Sequence, residues 1–324
     1  MAENKATIRY RWFAAFPALL FAATIAFAQA PFPNKTIRLV SGVSPGSASD
    51  TMARIIADKL AASLGQPVIV ENKLGAGGLI AAAQVARGDP DGHLISIYTS
   101  AYTIAPLLTP GVVNPDELTP VAAMAVVPTT LVVRPGTFKT LAELVAAAKA
   151  KPGSLVASSA GIGSSTHMNL ERFSIAAGID VLHVPMKGAP DALAEVLGGR
   201  ADMYFALTFQ VAGFVKEGKL IALGMGSPKR SALLPDVPTT VELGYPDSDY
   251  NFWVGALVSS RTPKPIVDRL HKEITAAVND PDVRAQFLKI GADPLTMSQA
   301  EFEAMIRNEF EANARLVNAG KIGK

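Results

Sequence analysis

From Lys35 to Gly226 the chain alternates short β-branched runs with Ala-rich or amphipathic stretches of helical period, and this alternation constrains the fold more than any other feature. A strand that is followed by a helix pairs in parallel with the next strand, because the helical crossover returns the chain to the same sheet. The expected architecture is therefore α/β. Residues 37–40 read as the first strand, and 50–64 as a helix with Met52, Ile55, Ile56, Leu60 and Leu64 on one face, stopped by Gly65. The next strands are 68–71 and 93–99, separated by an Ala-rich helix over about 78–87.

A second series repeats the design. Its expected strands are 130–134, 155–158, 181–184, 203–206 and 220–224. Its helices are one opened by the capping box of Thr140 and Glu143, then 165–177, 190–197 and 210–216. After the loop 227–249, a strand at 252–259 is followed only by helices: 265–279, 281–290 and 298–318, the last opened by the capping box of Ser298 and Glu301. These helices are expected to return and cover the first lobe. Lobe one is then 29–130 with 255–324 and lobe two is 131–254. Two chain crossings, near 127–133 and 251–255, would make a hinge. Shear within a single rigid sheet is the alternative. A mature chain of about 295 residues exceeds what one core usually supports, so two domains are expected.

The first residues place the protein. Lys5, Arg9 and Arg11 precede an apolar run from Trp12 to Phe27, followed by small-residue cleavage patterns around Ala26, Ala28 and Ala30. Residues 1–28 are expected to be an export signal cleaved near Ala28, leaving the chain in the periplasm. The rival reading is an uncleaved anchor, but the run is shorter than the roughly 20 residues a spanning helix needs. The chain has no cysteine, which excludes disulfides, thiolate catalysis and thiolate metal sites. Removing one acidic and three basic residues with the signal, from 28 and 30, leaves 27 of each. A neutral mature chain offers no electrostatic footprint for nucleic acid or anionic lipid.

Three places share one design, in which a strand ends in a Gly/Ser loop that runs directly into a helix. They contain Ser44, Gly46, Ser47, Ser49 and Asp50; Gly75, Ala76, Gly77 and Gly78; and Gly161, Gly163, Ser164, Ser165, Thr166 and His167. Each presents unpaired N–H groups at a positive helix end, and glycine permits close approach to the main chain. None contains Lys or Arg, so an anion there is held by amides, hydroxyls and water. In open α/β sheets such loops lie at the carboxyl ends of strands, where ligands collect. Two loops in the first lobe and one in the second would meet on one ligand when the hinge closes. Ser100, Met186 and Thr208 complete the candidate ligand set. Each loop taken singly also fits an ordinary turn with its cap. Asp50 has two readings: an N-cap or first-turn acid that complements the helix dipole, or a cleft group that would pair with an ammonium or a hydroxyl. Tyr98, Tyr102, Phe252 and Trp253 stack on a ring or, as is more usual, pack the core.

Other chemistries fit poorly. The Gly161-Ile-Gly163 stretch has Thr166 where the dinucleotide fingerprint needs its third glycine, and no Gly-Lys-Ser/Thr follows any loop. The neighbourhood of Ser164 is not a Gly-x-Ser-x-Gly elbow, which weakens an exported-hydrolase reading. His93, His167, His183 and His271 lack ligand spacing, so neither a metal nor a cofactor is expected. His93 and His183 flank strands and read as structural.

The order of short motifs along the mature chain resembles the tripartite tricarboxylate transporter receptors, or Bug proteins. The pieces are Phe32-Pro-Asn-Lys-Thr-Ile-Arg-Leu-Val40, Pro45-Gly46 with Asp50, Gly65-Gln-Pro-Val-Ile-Val-Glu-Asn72, Gly75-Ala-Gly-Gly78 and Pro90-Asp-Gly92. Gly161-Ile-Gly-Ser164 with His167, His183-Val-Pro185 with Lys187-Gly188, and Leu234-Pro-Asp-Val-Pro-Thr239 with Glu242 and Gly244 follow. The resemblance implies a type II periplasmic-binding fold of two Rossmann-like lobes joined by a two-crossing hinge. It implies a monomeric receptor, not an enzyme, that captures a small carboxylate and delivers it to inner-membrane transporter subunits. A role as ligand-loaded partner of a sensor kinase is the alternative. It further implies a pocket that grips carboxylate through loop amides and hydroxyls, often with ordered water. Two departures fall in that pocket: Ser47 stands where the family usually has a second glycine, and Met186 where it often has Tyr.

Overall fold

The computed structural model describes residues 32–318 together with 320 and 322. The expected export signal, with its cleavage near Ala28, lies outside the described residues. The elements run β1 (Ile37–Ser41), α1 (Ala48–Leu64), β2 (Val68–Asn72), α2 (Leu79–Arg87), β3 (Leu94–Thr99), α3 (Ala105–Leu108), β4 (Leu118–Val126) and β5 (Thr129–Val133). They continue with α4 (Leu141–Ala150), β6 (Val156–Ser159), α5 (Ser165–Ala177), β7 (Leu182–Pro185), α6 (Ala189–Leu197), β8 (Met203–Leu207), α7 (Thr208–Lys216) and β9 (Ile221–Met225). The chain closes with β10 (Trp253–Ser259), α8 (Lys264–Asn279), α9 (Pro281–Lys289), β11 (Asp293–Pro294) and α10 (Gln299–Asn318).

Two sheets form, in the orders β11-β4-β10-β3-β1-β2 and β7-β6-β8-β5-β9. The expected parallel pairs are present in β2-β1-β3 and β7-β6-β8. In the first sheet two strands run the other way, β10 against β3 and β4 and the two-residue β11 against β4; in the second one does, β5 against β8 and β9. The sheets are therefore mixed, each crossed by a strand that enters from the other half of the chain. Apolar cores lie on both faces of each sheet, which is why strands such as β1, with Ile37, Leu39 and Val40 inaccessible, read as continuous apolar runs.

Local signals place most of the helices. On α1, Met52, Ile56, Leu60 and Leu64 are buried, Ser47 caps the start, and Gly65 ends it in the left-handed region at φ 68°. Thr140 caps α4, and Ser298 and Glu301 exchange main-chain bonds at the start of α10. One nine-residue strand escapes these signals. β4 reads Leu-Thr-Pro-Val-Ala-Ala-Met-Ala-Val, with a proline and three alanines where strands usually carry branched side chains. Its small residues are required by its neighbours, since α8 packs on one face of the strand and α10 on the other. Gly255 opposite it leaves room for the Phe302 ring of α10, which lies 2.4 Å from where a Cβ would stand.

The chain passes between the sheets at 127–128 and again between Met225 and Trp253. The two passages are joined: Val127 N–H donates to Phe252 O at 2.8 Å, Gly226 N–H to Thr129 O at 2.9 Å, and Tyr250 N–H to Gly226 O at 2.8 Å. No described helix is long and apolar enough to cross a membrane.

Candidate functional site

The first loop is held by its own acid. Asp50, 1% exposed, accepts from Gly46 N–H at 2.8 Å, from Arg54 at 3.0 and 3.1 Å, and from Asn72 Nδ2 at 2.8 Å. Burial alone pushes its carboxyl up, but the Arg54 and Asn72 bonds and the Gly46 amide outweigh it and hold the group below the usual carboxylate range. The cap of α1 is Ser47, whose Oγ accepts from Asp50 N–H at 3.4 Å. Asp50 is thus the first-turn acid of α1 rather than its cap, and it accepts the Gly46 amide, so the two residues expected among the ligand partners also hold the loop's shape.

In the second loop Gly75, Ala76, Gly77 and Gly78 all have positive φ, at 129°, 47°, 64° and 95°. Ala76 is one of two described non-glycine residues in that region, at a cost of about 1–2 kcal/mol. Tyr98 Oη pins the loop by donating to Gly77 O at 2.7 Å, and Gly78 N–H closes a turn onto Gly75 O at 2.9 Å. No side chain caps α2, whose cap residue is Gly78.

The third loop bonds to itself most densely. Gly161 N–H donates to Ser159 Oγ at 3.2 Å, Gly163 N–H to His167 Nδ1 at 3.1 Å, and Ala160 N–H to Thr166 Oγ1 at 2.8 Å. Ser164 Oγ donates to Gly161 O at 2.7 Å and accepts from His167 N–H at 3.3 Å, as the cap of α5. Since His167 Nδ1 accepts, its proton sits on Nε2, facing Glu171 at 3.5 Å. The ring stacks on His183 with 4.0 Å between centroids, and His183 Nε2 meets Ser159 Oγ at 2.7 Å. Burial, and then the neighbouring His167, holds His183 down at about 4, so this ring is neutral. His167 helps to hold the loop, and among the described residues no imidazole nitrogen is bonded to Ser164. Gly161 and Gly163 donate their amides within the loop, Ser164 donates its amide and hydroxyl to Gly161 O, and Thr166 Oγ1 accepts from Ala160 N–H.

Thr208 is fully buried, its hydroxyl donating to Pro128 O at 2.9 Å and accepting from Thr130 Oγ1 at 2.8 Å, which ties it to a chain passage. Met186 packs against the core beside Val132 and Val196. Tyr98, Tyr102 and Trp253 are core residues. Among the described residues no group of three or more His, Asp or Glu side chains is placed to hold a metal.

What stays open is the first turn of α1, with the amides of Ala48 and Ser49, and that of α5, with the amides of Ser165 and Thr166, which face no preceding helical carbonyl. Ser100 Oγ, just past β3, is buried without a partner among the described residues. So are two groups that sequence reasoning missed, Ser41 Oγ at the end of β1 and Gln210 Oε1 in the first turn of α7. A polar residue closing an apolar strand was the available signal for Ser41.

The three loops converge. A Cβ on Gly42 would stand 2.4 Å from Gly78 Cα, so the exits of β1 and β2 touch. The second and third loops flank α3, with Ala105 Cβ 3.3 Å from the Cβ position of Gly77, and Leu108 Cδ1 3.0 Å from that of Gly163. Loops from both sheets therefore meet over one short helix, with Arg54 already committed to Asp50 and Asn72. Two larger surface cavities, of about 610 and 620 Å³, lie elsewhere, beside α4 and α5 and beneath α10.

A family model described as the tripartite tricarboxylate transporter family receptor matches residues 52–322. Protein BugT of Bordetella pertussis is 31% identical over 291 residues, 88% of this chain and 89% of that protein. MatC of Rhodopseudomonas palustris, solved with bound malate, is similar at a TM-score of 0.73 and 29% identity, covering 88% of this chain and 100% of MatC. A second R. palustris protein, solved with adipate, gives 0.76 at 26% identity, covering 90% and 99%. The chain belongs to the tripartite tricarboxylate transporter receptors, a family of periplasmic solute-binding proteins.

Proposed function

We propose that this chain captures a small dicarboxylate between its two lobes, 29–130 with 255–324 and 131–254, and delivers it unchanged to inner-membrane transporter subunits. One observation carries the reading: the Gly/Ser loops that lead into α2 and α5, one from each sheet, flank α3, and neither loop contains Lys or Arg. Each helix start is suited to one carboxylate through main-chain N–H groups. Buried hydroxyls such as those of Ser41 and Ser100 can be satisfied by a ligand or by bridging water. Malate and adipate, carried by the two similar R. palustris proteins, have this two-ended form.

The test is titration calorimetry of the purified mature chain against malate, adipate, citrate, glutamate and terephthalate. One-to-one binding of a dicarboxylate in the micromolar range or tighter, near −8 kcal/mol or beyond, is expected. Recovery of the ligand unchanged after incubation separates capture from conversion. A folded protein that binds none of the five overturns the reading.

A further inference from the structure

Helix α5 carries three different contacts along its length. Its start, from Ser164 to His167, is the third loop's end. One turn on, Asn169 is inaccessible and bridges both passages between the sheets, donating through Nδ2 to Gly226 O at 3.1 Å and meeting Thr129 Oγ1 through Oδ1. No side chain fits at Gly226, where a Cβ would stand 2.2 Å from Asn169 Oδ1. Beside it Met168 packs in an apolar cluster with Ile104, Tyr250 and Ile322.

One further turn along the same face stands Arg172. Its Nη1 donates to Asp249 O at 3.2 Å, its guanidinium lies 5.0 Å from the centre of the Tyr250 ring, and its Nη2 reaches Asn313 Oδ1 of α10 at 3.4 Å. Those partners lead back to the strand end beneath the loops. Asn313 Nδ2 donates to Thr103 Oγ1 at 2.8 Å, Thr103 Oγ1 donates to Ser100 O at 2.7 Å, and Tyr250 Oη donates to the same carbonyl at 3.2 Å. A planar fork that bonds two elements while covering an aromatic face is a role lysine cannot fill.

We propose that Arg172 is the positioning residue of an interlobe latch, through which α5 couples its ligand-facing start to the C-terminal helix α10 and so fixes the angle at which the lobes meet. The proposal rests on the capture reading only for its effect on affinity. The latch itself holds with or without a ligand, because every partner belongs to the protein.

The natural chain has no cysteine, so a pair of spin labels can be placed cleanly at Lys151→Cys and Lys289→Cys, both exposed positions on opposite lobes. Arg172→Met keeps the length of the side chain and is expected to stay folded with a cooperative though lower melting transition, which circular dichroism checks first. Without ligand, the interlobe distance distribution is expected to broaden and shift in Arg172→Met and to be partly restored in Arg172→Lys, which keeps the charge over Tyr250 but not the fork. The affinity for whichever of malate or adipate the parent binds is expected to fall about tenfold in Arg172→Met. A folded Arg172→Met protein with the parental distance distribution overturns the latch. If the parent binds none of the five carboxylates, the capture reading fails, and the ligand-free distances still decide the latch.

Discussion

Glu309→Gln is expected to raise the melting temperature at about pH 8 and to leave it unchanged below about pH 4.5. Glu309 sits inside α10 at 8% exposure, accepting from the Trp253 indole N–H at 2.6 Å. Arg172, Tyr250 and Thr103 are the other polar groups around it. Burial pushes its carboxyl up to about 7, against opposing contributions from Trp253, Arg172 and Thr103. The folded protein therefore binds this proton more tightly than the unfolded chain does. At low pH both states carry the proton and the group is neutral in its effect. As pH rises from about 4.5 to about 7 the unfolded state ionises first, and stability falls until the folded group ionises too. Converted to free energy the loss is roughly 3 kcal/mol, or about 5–10 °C in melting temperature. Glutamine keeps the acceptor for Trp253 and never ionises. Melting curves of both proteins across this range check the result; a difference that does not change with pH would refute it.

The second large effect is expected at Asp50. Asp50→Ala leaves the Gly46 amide, Asn72 Nδ2 and the Arg54 fork without their common acceptor. Breaking a fully buried pair costs about 3–5 kcal/mol, but Arg54 is half exposed and regains water, so about 2–3 kcal/mol is expected. Ser47→Ala, which removes only the cap of α1, is expected to cost about 1 kcal/mol. Because the Asp50 carboxyl is held below its ordinary value, its stabilisation is present above about pH 3.8 and is lost as pH falls through the lower folded value. In urea titrations, Asp50→Ala within about 0.5 kcal/mol of the parent would show that the loop keeps its shape without the carboxylate. Binding is expected to weaken together with stability.

Sequence patterns located the elements whose signals are local. Ser164 and Gly178 bound α5, Ser47 and Gly65 bound α1, and the apolar runs of β1 and β3 declare a sheet covered on both faces. They failed where a residue is chosen for a distant neighbour. The alanines of β4 answer to α8 and α10, and α3, four residues long, has too few turns to show a period. The Gly/Ser loops were legible as places, whereas the spending of their donors was not. His167 Nδ1 looks free in a sequence, and only folding brings the Gly163 amide to it. The same holds for Asp50, whose partner Asn72 is 22 residues away along the chain.

The position of β10 governs the order in which this molecule can be assembled. β3 and β4 share no ladder of their own; each is paired to β10, which enters between them more than a hundred residues after β4. The second sheet is complete once Met225 has been synthesised, since all five of its strands lie between Thr129 and that residue. The first sheet has no such independence. In an emerging polypeptide β3 and β4 lack the strand that joins them until Ser259 is available, and the long sequence separation makes that closure intrinsically slow. The half of the protein that begins the chain is therefore the half that finishes folding last.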